Sequence, residues 1–315
     1  MTTVLVTGAS GFVGKALSVS LAARGHMVRN AVRTLPAKRR DQVYAVGDIG
    51  PGTDWAAAVT GCEAVVHLAA HVHVTGSRAR DSAGNYHRVN VEGSENVARQ
   101  AARAGVRRFV FLSSVKVNGE TSSRAFVESD PARPVDAYGV SKMEAEERLR
   151  AVSAETGMEI VVVRPPLVYG PGVRANFLSL MRTVDARIPL PFLSIGNRRS
   201  LVYLGNLVDA LATCLTHPAA ANRTFFVSDD RDVSTPQLIR EIATAFGRKP
   251  MLFPCPPALL RCAGMLTGRA EQVGRLTGSL QVDISAIKAA LDWHPPFSLQ
   301  QGLADTVSWY RSVRR

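Results

Sequence analysis

The chain has 315 residues, 46% of them apolar and 20% charged, enough to build one large domain or two smaller ones, which excludes a disordered polypeptide. No apolar run approaches the roughly 20 residues of a membrane span, and the sequence enters Val4-Leu5-Val6 without a basic leader, so a cytoplasmic protein is expected. A formal charge of +12 would suit nucleic acid, but the arginines are dispersed, the densest cluster (Lys38-Arg39-Arg40) reads as loop, and no aromatic-interleaved basic stripe accompanies it, so no nucleic-acid partner is expected.

Four short β-branched runs, at 27–32, 64–68, 108–112 and 160–163, each follow a helical pattern that stops at a glycine: Gly25, Gly61, Gly105 and Gly157. Each glycine reads as a left-handed helix cap. With runs at 4–7 and 42–46, six strands alternate with helices. Continuously apolar strands joined by crossover helices predict an α/β fold with a doubly wound parallel (Rossmann) sheet.

The first strand runs into Gly8-Ala9-Ser10-Gly11-Phe12-Val13-Gly14 and then a helix, the placement a dinucleotide site needs. Small residues let the backbone approach a pyrophosphate, whose charge meets the helix N-terminus. The second strand ends in Val32-Arg33 with no acidic residue, so Arg33 either pairs with the 2′-phosphate of NADP or faces water; NADP (NADPH) is favoured over NAD. Asp48-Ile49 is placed for the adenine. The fourth strand ends in His67-Leu68-Ala69-Ala70, where small residues let the nicotinamide half pass. His67, His71 and His73 read as strand-edge and loop residues, and with Cys62, Cys214, Cys255 and Cys262 scattered, neither metal nor disulfide framework is expected. Asn90, a poor helix former inside a helical pattern, is expected to bond a strand or a water. The fifth strand ends in Ser113-Ser114, whose hydroxyls should face the cleft beyond the strand's carboxyl end. Tyr138 and Lys142 then stand four apart, on one face of a helix, where an ammonium favours the phenolate.

Together these pieces resemble the extended short-chain dehydrogenase/reductase family, in its sugar-nucleotide epimerase/dehydratase/reductase branch. The resemblance rests on the glycine turn, Asp48-Ile49, His67-Leu68-Ala69-Ala70, Asn90-Val91-Glu92-Gly93, Leu112-Ser113-Ser114, Tyr138-Gly139-Val140-Ser141-Lys142, Arg164-Pro165 and Val168-Tyr169-Gly170-Pro171-Gly172. It continues through Arg199 to Ala210 and the closing Leu291-Asp292-Trp293. It implies Tyr138 as general acid/base, Lys142 on the nicotinamide ribose and lowering the tyrosine pKa, and Ser114 on the reacting oxygen. Gly8, Ser10, Gly11, Phe12, Val13, Gly14, Arg33, Asp48, Ile49, Leu68, Ala69, Ala70, Asn90 and Pro165 would complete the cofactor site. A UDP-sugar would meet Ser114, Lys116, Asn176 (with Phe177) and Arg199, and Asn118, where relatives carry tyrosine, would alter the sugar pocket. The resemblance also implies a Rossmann domain of residues 1–165, with 201–217 returning to it, and a smaller α/β substrate domain of 166–200 and 218–315. Relatives pair through two helices, here 85–104 and 137–155, so a homodimer is the expected assembly.

Two reactions share these residues. In the favoured one, NADPH reduces a UDP-4-keto-6-deoxy-N-acetylhexosamine at C4 for surface polysaccharide, with Tyr138 donating the proton. The alternative is a UDP-sugar 4-epimerase acting on UDP-glucose or UDP-N-acetylglucosamine; a non-catalytic NADP-binding sensor is a third reading, opposed by the retention of Ser114, Tyr138 and Lys142. Residues 254–280 fit the family pattern least and read as small helices over the substrate; a membrane-surface helix is the alternative, weakened by Gly264, Gly268, Gly274 and Gly278.

Overall fold

The computed structural model describes residues 1–35, 42–72, 82–268 and 270–314; Lys38-Arg39-Arg40, His73 and Arg269 lie outside them. Strands β1 (Thr3–Thr7), β2 (Met27–Val32), β3 (Val43–Ala45), β4 (Ala64–His67), β5 (Arg108–Leu112), β6 (Glu159–Arg164) and β9 (Thr224–Phe226) form a parallel sheet in the order β3-β2-β1-β4-β5-β6-β9. Two shorter strands, β7 (Leu167–Tyr169) and β8 (Leu201–Tyr203), pair apart from it. The four predicted capping glycines all carry positive φ, between 74° and 82°.

Alternate residues of each strand feed opposite faces of the sheet. Val4, Val6, Val161 and Val163 pack under α1 (Phe12–Ala23) and, later in the chain, α7 (Leu204–Thr216). Leu5, Phe109, Phe111 and Val162 meet α2 (Ala56–Val59), α4 (Gly93–Arg103) and α5 (Ala137–Thr156) on the other face. Short α3 (Ser82–Tyr86) runs into a π-helical stretch, His87–Glu92, before α4. The chain turns one way from β1 to β2 and the other way to β4, so β1 and β4 form the switch point where open α/β sheets bind ligands. Register aligns Ala31, Thr7, His67 and Phe111 across that carboxyl edge.

Beyond β7 come α6 (Ala175–Asp185), then α8 (Thr235–Ala245), α9 (Pro257–Leu266), α10 (Ala270–Thr277), α11 (Ser285–Leu291) and α12 (Leu299–Ser312). Two boundaries expected from the sequence shift. Residues 224–226, assigned to the substrate unit, add the seventh strand beside β6, because Thr224-Phe225-Phe226 supplies a buried apolar edge. Residues 201–203 pair with β7 instead of returning to the large sheet, and the return is made by α7. One apolar cluster runs unbroken from Val4 and Val6 through Tyr169, Phe177 and Met181 to Leu303 and Tyr310.

Candidate active site

A groove of about 570 Å³ opens at the switch point. Gly8, Ser10 and Gly11 form its near wall, Arg33, Asp48 and Ile49 one end, and Leu68, Ala69 and Ala70 the far wall. A Cβ on Gly14 would lie 2.2 Å from Gly8 O, and one on Gly8 2.9 Å from Ala69 Cα, so only glycines permit this close turn. Gly11 caps α1 without a side-chain bond, leaving the first-turn amides of Phe12, Val13 and Gly14 as an anion site. The cradle therefore fits a dinucleotide pyrophosphate. Phe12 and Val13 offer backbone amides there, while their partly buried side chains pack on the core.

Arg33 does not stand alone: its Nε lies 2.9 Å from Asp48 Oδ1. Sequence reasoning missed Trp55, Asn85 and Arg88 as further lining; distance along the chain hides them, and Arg88 lies against Gly50.

The far wall is fixed by a buried relay. Thr7 Oγ1 accepts from the amides of Leu68 and Ala69 at 3.2 and 3.3 Å, so its own proton goes to His67 Nδ1 at 2.7 Å. His67 Nε2–H is then left to donate to Ser94 Oγ at 3.0 Å. A protonated ring would lose the acceptor, and burial with Lys142 nearby pushes the imidazole pKa down to about 3.

Asn90, expected among the cofactor ligands, is instead fully buried in the π-helical stretch. Its Oδ1 accepts from His71 N at 2.7 Å, while Nδ2 donates to His71 O at 3.0 Å and Ser141 Oγ at 2.9 Å. The bulge turns it inward, and its amide latches the groove wall to the helix that carries Tyr138 and Lys142.

Asp136 caps α5, its Oδ1 accepting from Gly139 N at 2.7 Å, and its other oxygen pairs with Lys116 Nζ. Lys116 belongs to the short turn Val115–Val117 that Ser114 opens, and its Nζ also donates to Glu120 at 2.7 Å. One ion pair thus ties the serine turn to the first turn of the Tyr138 helix. Ser113 is buried, donating to Glu146 at 2.6 Å, whereas Ser114 is half-buried with its oxygen accepting from Lys116 N at 3.2 Å, which leaves its proton for another acceptor.

The half-buried Tyr138 ring lies edge-on to Tyr86 at 6.1 Å, and Tyr86 to the groove residue His71 at 5.0 Å. Burial, then the Asp136 carboxylate and Tyr86, hold the phenol pKa above its ordinary value. In this geometry burial, rather than the Lys142 ammonium, dominates the phenol. Lys142 is only 2% exposed, over the Phe111 ring at 4.0 Å, and burial lowers its pKa to about 7 against the raising effect of Glu146.

Toward the smaller unit, half-buried Arg199 donates through Nη1 to Arg275 O at 2.7 Å and Gly278 O at 3.1 Å. Burial and the neighbouring Arg275 charge lower its pKa. Arg275 Nη2 lies 3.6 Å from Glu120, so Lys116, Arg199 and Arg275 form one cationic cluster around that carboxylate. Arg275 lies in the glycine-rich stretch 254–280, whose sequence reading singled out no residue as a ligand. Asn176 is exposed at the start of α6, while Phe177, expected beside the substrate, is buried against Tyr169 at 5.3 Å. Pro165 is buried with its carbonyl accepting from Val115 N at 3.0 Å. Asn118 does not face a sugar pocket: it is 3% exposed and accepts from Arg164 Nη1 at 3.0 Å.

Among known proteins, the chain is 46% identical to the UDP-glucose 4-epimerase of Vibrio cholerae over 307 residues, covering 96% of this chain and 94% of that protein. The structure of MoeE5 in complex with UDP-glucose and NAD matches with TM-score 0.80 at 23% identity over 99% of this chain and 100% of that one. The UDP-glucuronic acid 4-epimerase of Bacillus cereus in complex with NAD matches with TM-score 0.79 at 18% identity, again over 99% and 100%. At such identities these two structures establish the fold. The sequence model of the NAD dependent epimerase/dehydratase family matches residues 4–227, and with the glycine cradle and the Tyr138 helix in place, the chain belongs to that family.

Proposed function

We propose that this protein is a UDP-sugar 4-epimerase that retains NAD through its cycle. The observation that carries the reading is the near full-length, 46% identity to the Vibrio cholerae UDP-glucose 4-epimerase. Gly8, Ser10, Gly11 and the first-turn amides of α1 hold the pyrophosphate, and Asp48 with Ile49 lies at the adenine end. When bound, the cofactor supplies the hydride acceptor and donor for the sugar carbon. Tyr138 takes the C4 hydroxyl proton and later returns it, and Ser114 donates to the same oxygen. Lys142, one turn along the helix, supplies the positive charge that the phenolate form requires. Arg199, Arg275 and Lys116 bind the diphosphate, for which an arginine fork is suited. The enzyme works in the cytoplasm. Pairing of two copies would run through α4 and α5, whose outer faces carry Arg99 bridged to Glu95 and Glu155.

Arg33 favours a second reading, an NADPH-dependent reductase of a UDP-4-keto-6-deoxy-N-acetylhexosamine. Its pair with Asp48 leaves the two side chains 77% and 72% exposed; such a pair contributes at most about 1 kcal/mol, so a 2′-phosphate can compete for it. Incubation with UDP-glucose or UDP-N-acetylglucosamine and NAD separates the two. Sugar interconversion with no net change in cofactor is expected. Stoichiometric NADPH consumption with the 4-keto sugar, and no interconversion, would replace the epimerase with the reductase. Tyr138→Phe should abolish either turnover while cofactor binding persists; unchanged turnover removes Tyr138 from the mechanism.

A further inference from the structure

Exposed apolar side chains concentrate in two stretches of the smaller unit. Of the sixteen large exposed apolar residues among the described ones, seven fall within residues 188–193 and 251–266. The two stretches are joined through backbone, Leu190 N donating to Met251 O at 2.8 Å and Phe253 N to Leu190 O at 3.1 Å. Helix α9 follows directly. One face packs inward through Leu260 and Gly264, the latter so close that an added Cβ would meet Val273 at 2.9 Å. The outer stripe, Leu259, Cys262, Ala263 and Leu266, recurs at helical spacing and carries no charge, with Leu259 59% and Leu266 89% exposed. A water-facing helix ordinarily puts polar residues there.

The wider segments around these stretches are basic. In sequence, residues 186–199 and 246–278 hold eight lysines and arginines and one acid, Glu271. Arg187, Arg198 and Lys249 are exposed, and none makes an ion pair among the described residues. A two-fold pairing of copies through this face would bring the cations of both copies into one interface. An apolar stripe flanked by cations is instead the pattern of an interfacial helix.

We propose that this face docks on an anionic lipid bilayer, the α9 stripe seated among the headgroups and Arg187, Arg198 and Lys249 against acidic phospholipid. The groove shares no lining residue with it, so docking leaves cofactor entry open.

Sedimentation with phosphatidylcholine vesicles, with and without phosphatidylglycerol, tests this. The protein should pellet with the anionic vesicles, be released at high salt, and stay largely in solution with phosphatidylcholine alone. Lys249→Gln should weaken the anionic partition about fivefold, the effect of losing one near-surface charge. Leu259→Asp combined with Leu266→Asp should lower it tenfold or more while the circular dichroism melt and cofactor binding stay unchanged. Protein that remains in solution with anionic vesicles at low salt, or a double variant that partitions as well as the parent, would overturn the proposal. So would a concentration-dependent dimer that the double variant abolishes.

Discussion

Burial lowers the proton affinity of both His67 and Lys142, with consequences for stability that can be read from pH. The imidazole sits at about 3 against 6.5 when exposed, and the amine at about 7 against 10.5. In both windows the unfolded chain binds more protons than the folded one, so stability rises with pH from about 3 to 6.5 through His67 and from about 7 to 10.5 through Lys142. Lys142 faces Glu146 on its own helix, the Phe111 ring on β5 and, at longer range, His67 on β4. Lys142→Met should therefore stabilise the cofactor-free protein most below pH 7 and lose its advantage as pH climbs. Urea midpoints measured at stepped pH check this: the variant's curve should be flat above neutrality where the parent's continues to rise. A parallel rise in both would exclude Lys142 as the source.

Helix α5 is held from beneath by Glu146, which is fully buried and accepts from Ser113 at 2.6 Å, Arg164 Nε at 2.9 Å and Arg150 at 2.8 Å. Arg164 is itself 6% exposed, so Glu146→Gln leaves a buried guanidinium without its counter-charge. Loss of one partner of a buried pair costs about 3–5 kcal/mol. The urea midpoint should fall accordingly with the m-value unchanged, and a loss below about 1 kcal/mol would mean that Arg164 finds another acceptor. This girder was hidden in the sequence, where Glu146 is one acid among several on a charged helix. The sheet and the cofactor turn were legible because they are local: apolar runs, capping glycines and a strand-turn-helix need no distant partner. Asp136 was legible in principle as an N-cap three residues before Gly139. Asn118 was misread because its partner Arg164 is brought to it only by tertiary packing, as are His71 and Ser141 to Asn90. Arg275 lay beyond reach for the same reason.

The two units that the sequence suggests share one core, and Asp229 is where they are pinned. Just past β9, its carboxylate accepts from Tyr169 Oη of β7, from Tyr203 N of β8 and from Asn206 Nδ2 of α7, each at 2.7 Å. Asn206 in turn bonds both the carbonyl and the amide of Phe297, ahead of α12. A division into independently stable domains would give two unfolding transitions, since domains with separate cores unfold separately. A continuous cluster from Val4 to Tyr310 predicts a single one. Asp229→Ala strips the acceptor from three buried donors, each costing about 1–3 kcal/mol when left unsatisfied, although shared relaxation makes the sum smaller than the parts. Calorimetry should show the parent melting in one cooperative step and the variant melting in one step at a lower temperature. Two resolved transitions in the parent would show that the shared core does not couple the units. Two in the variant alone would identify Asp229 as the coupling itself.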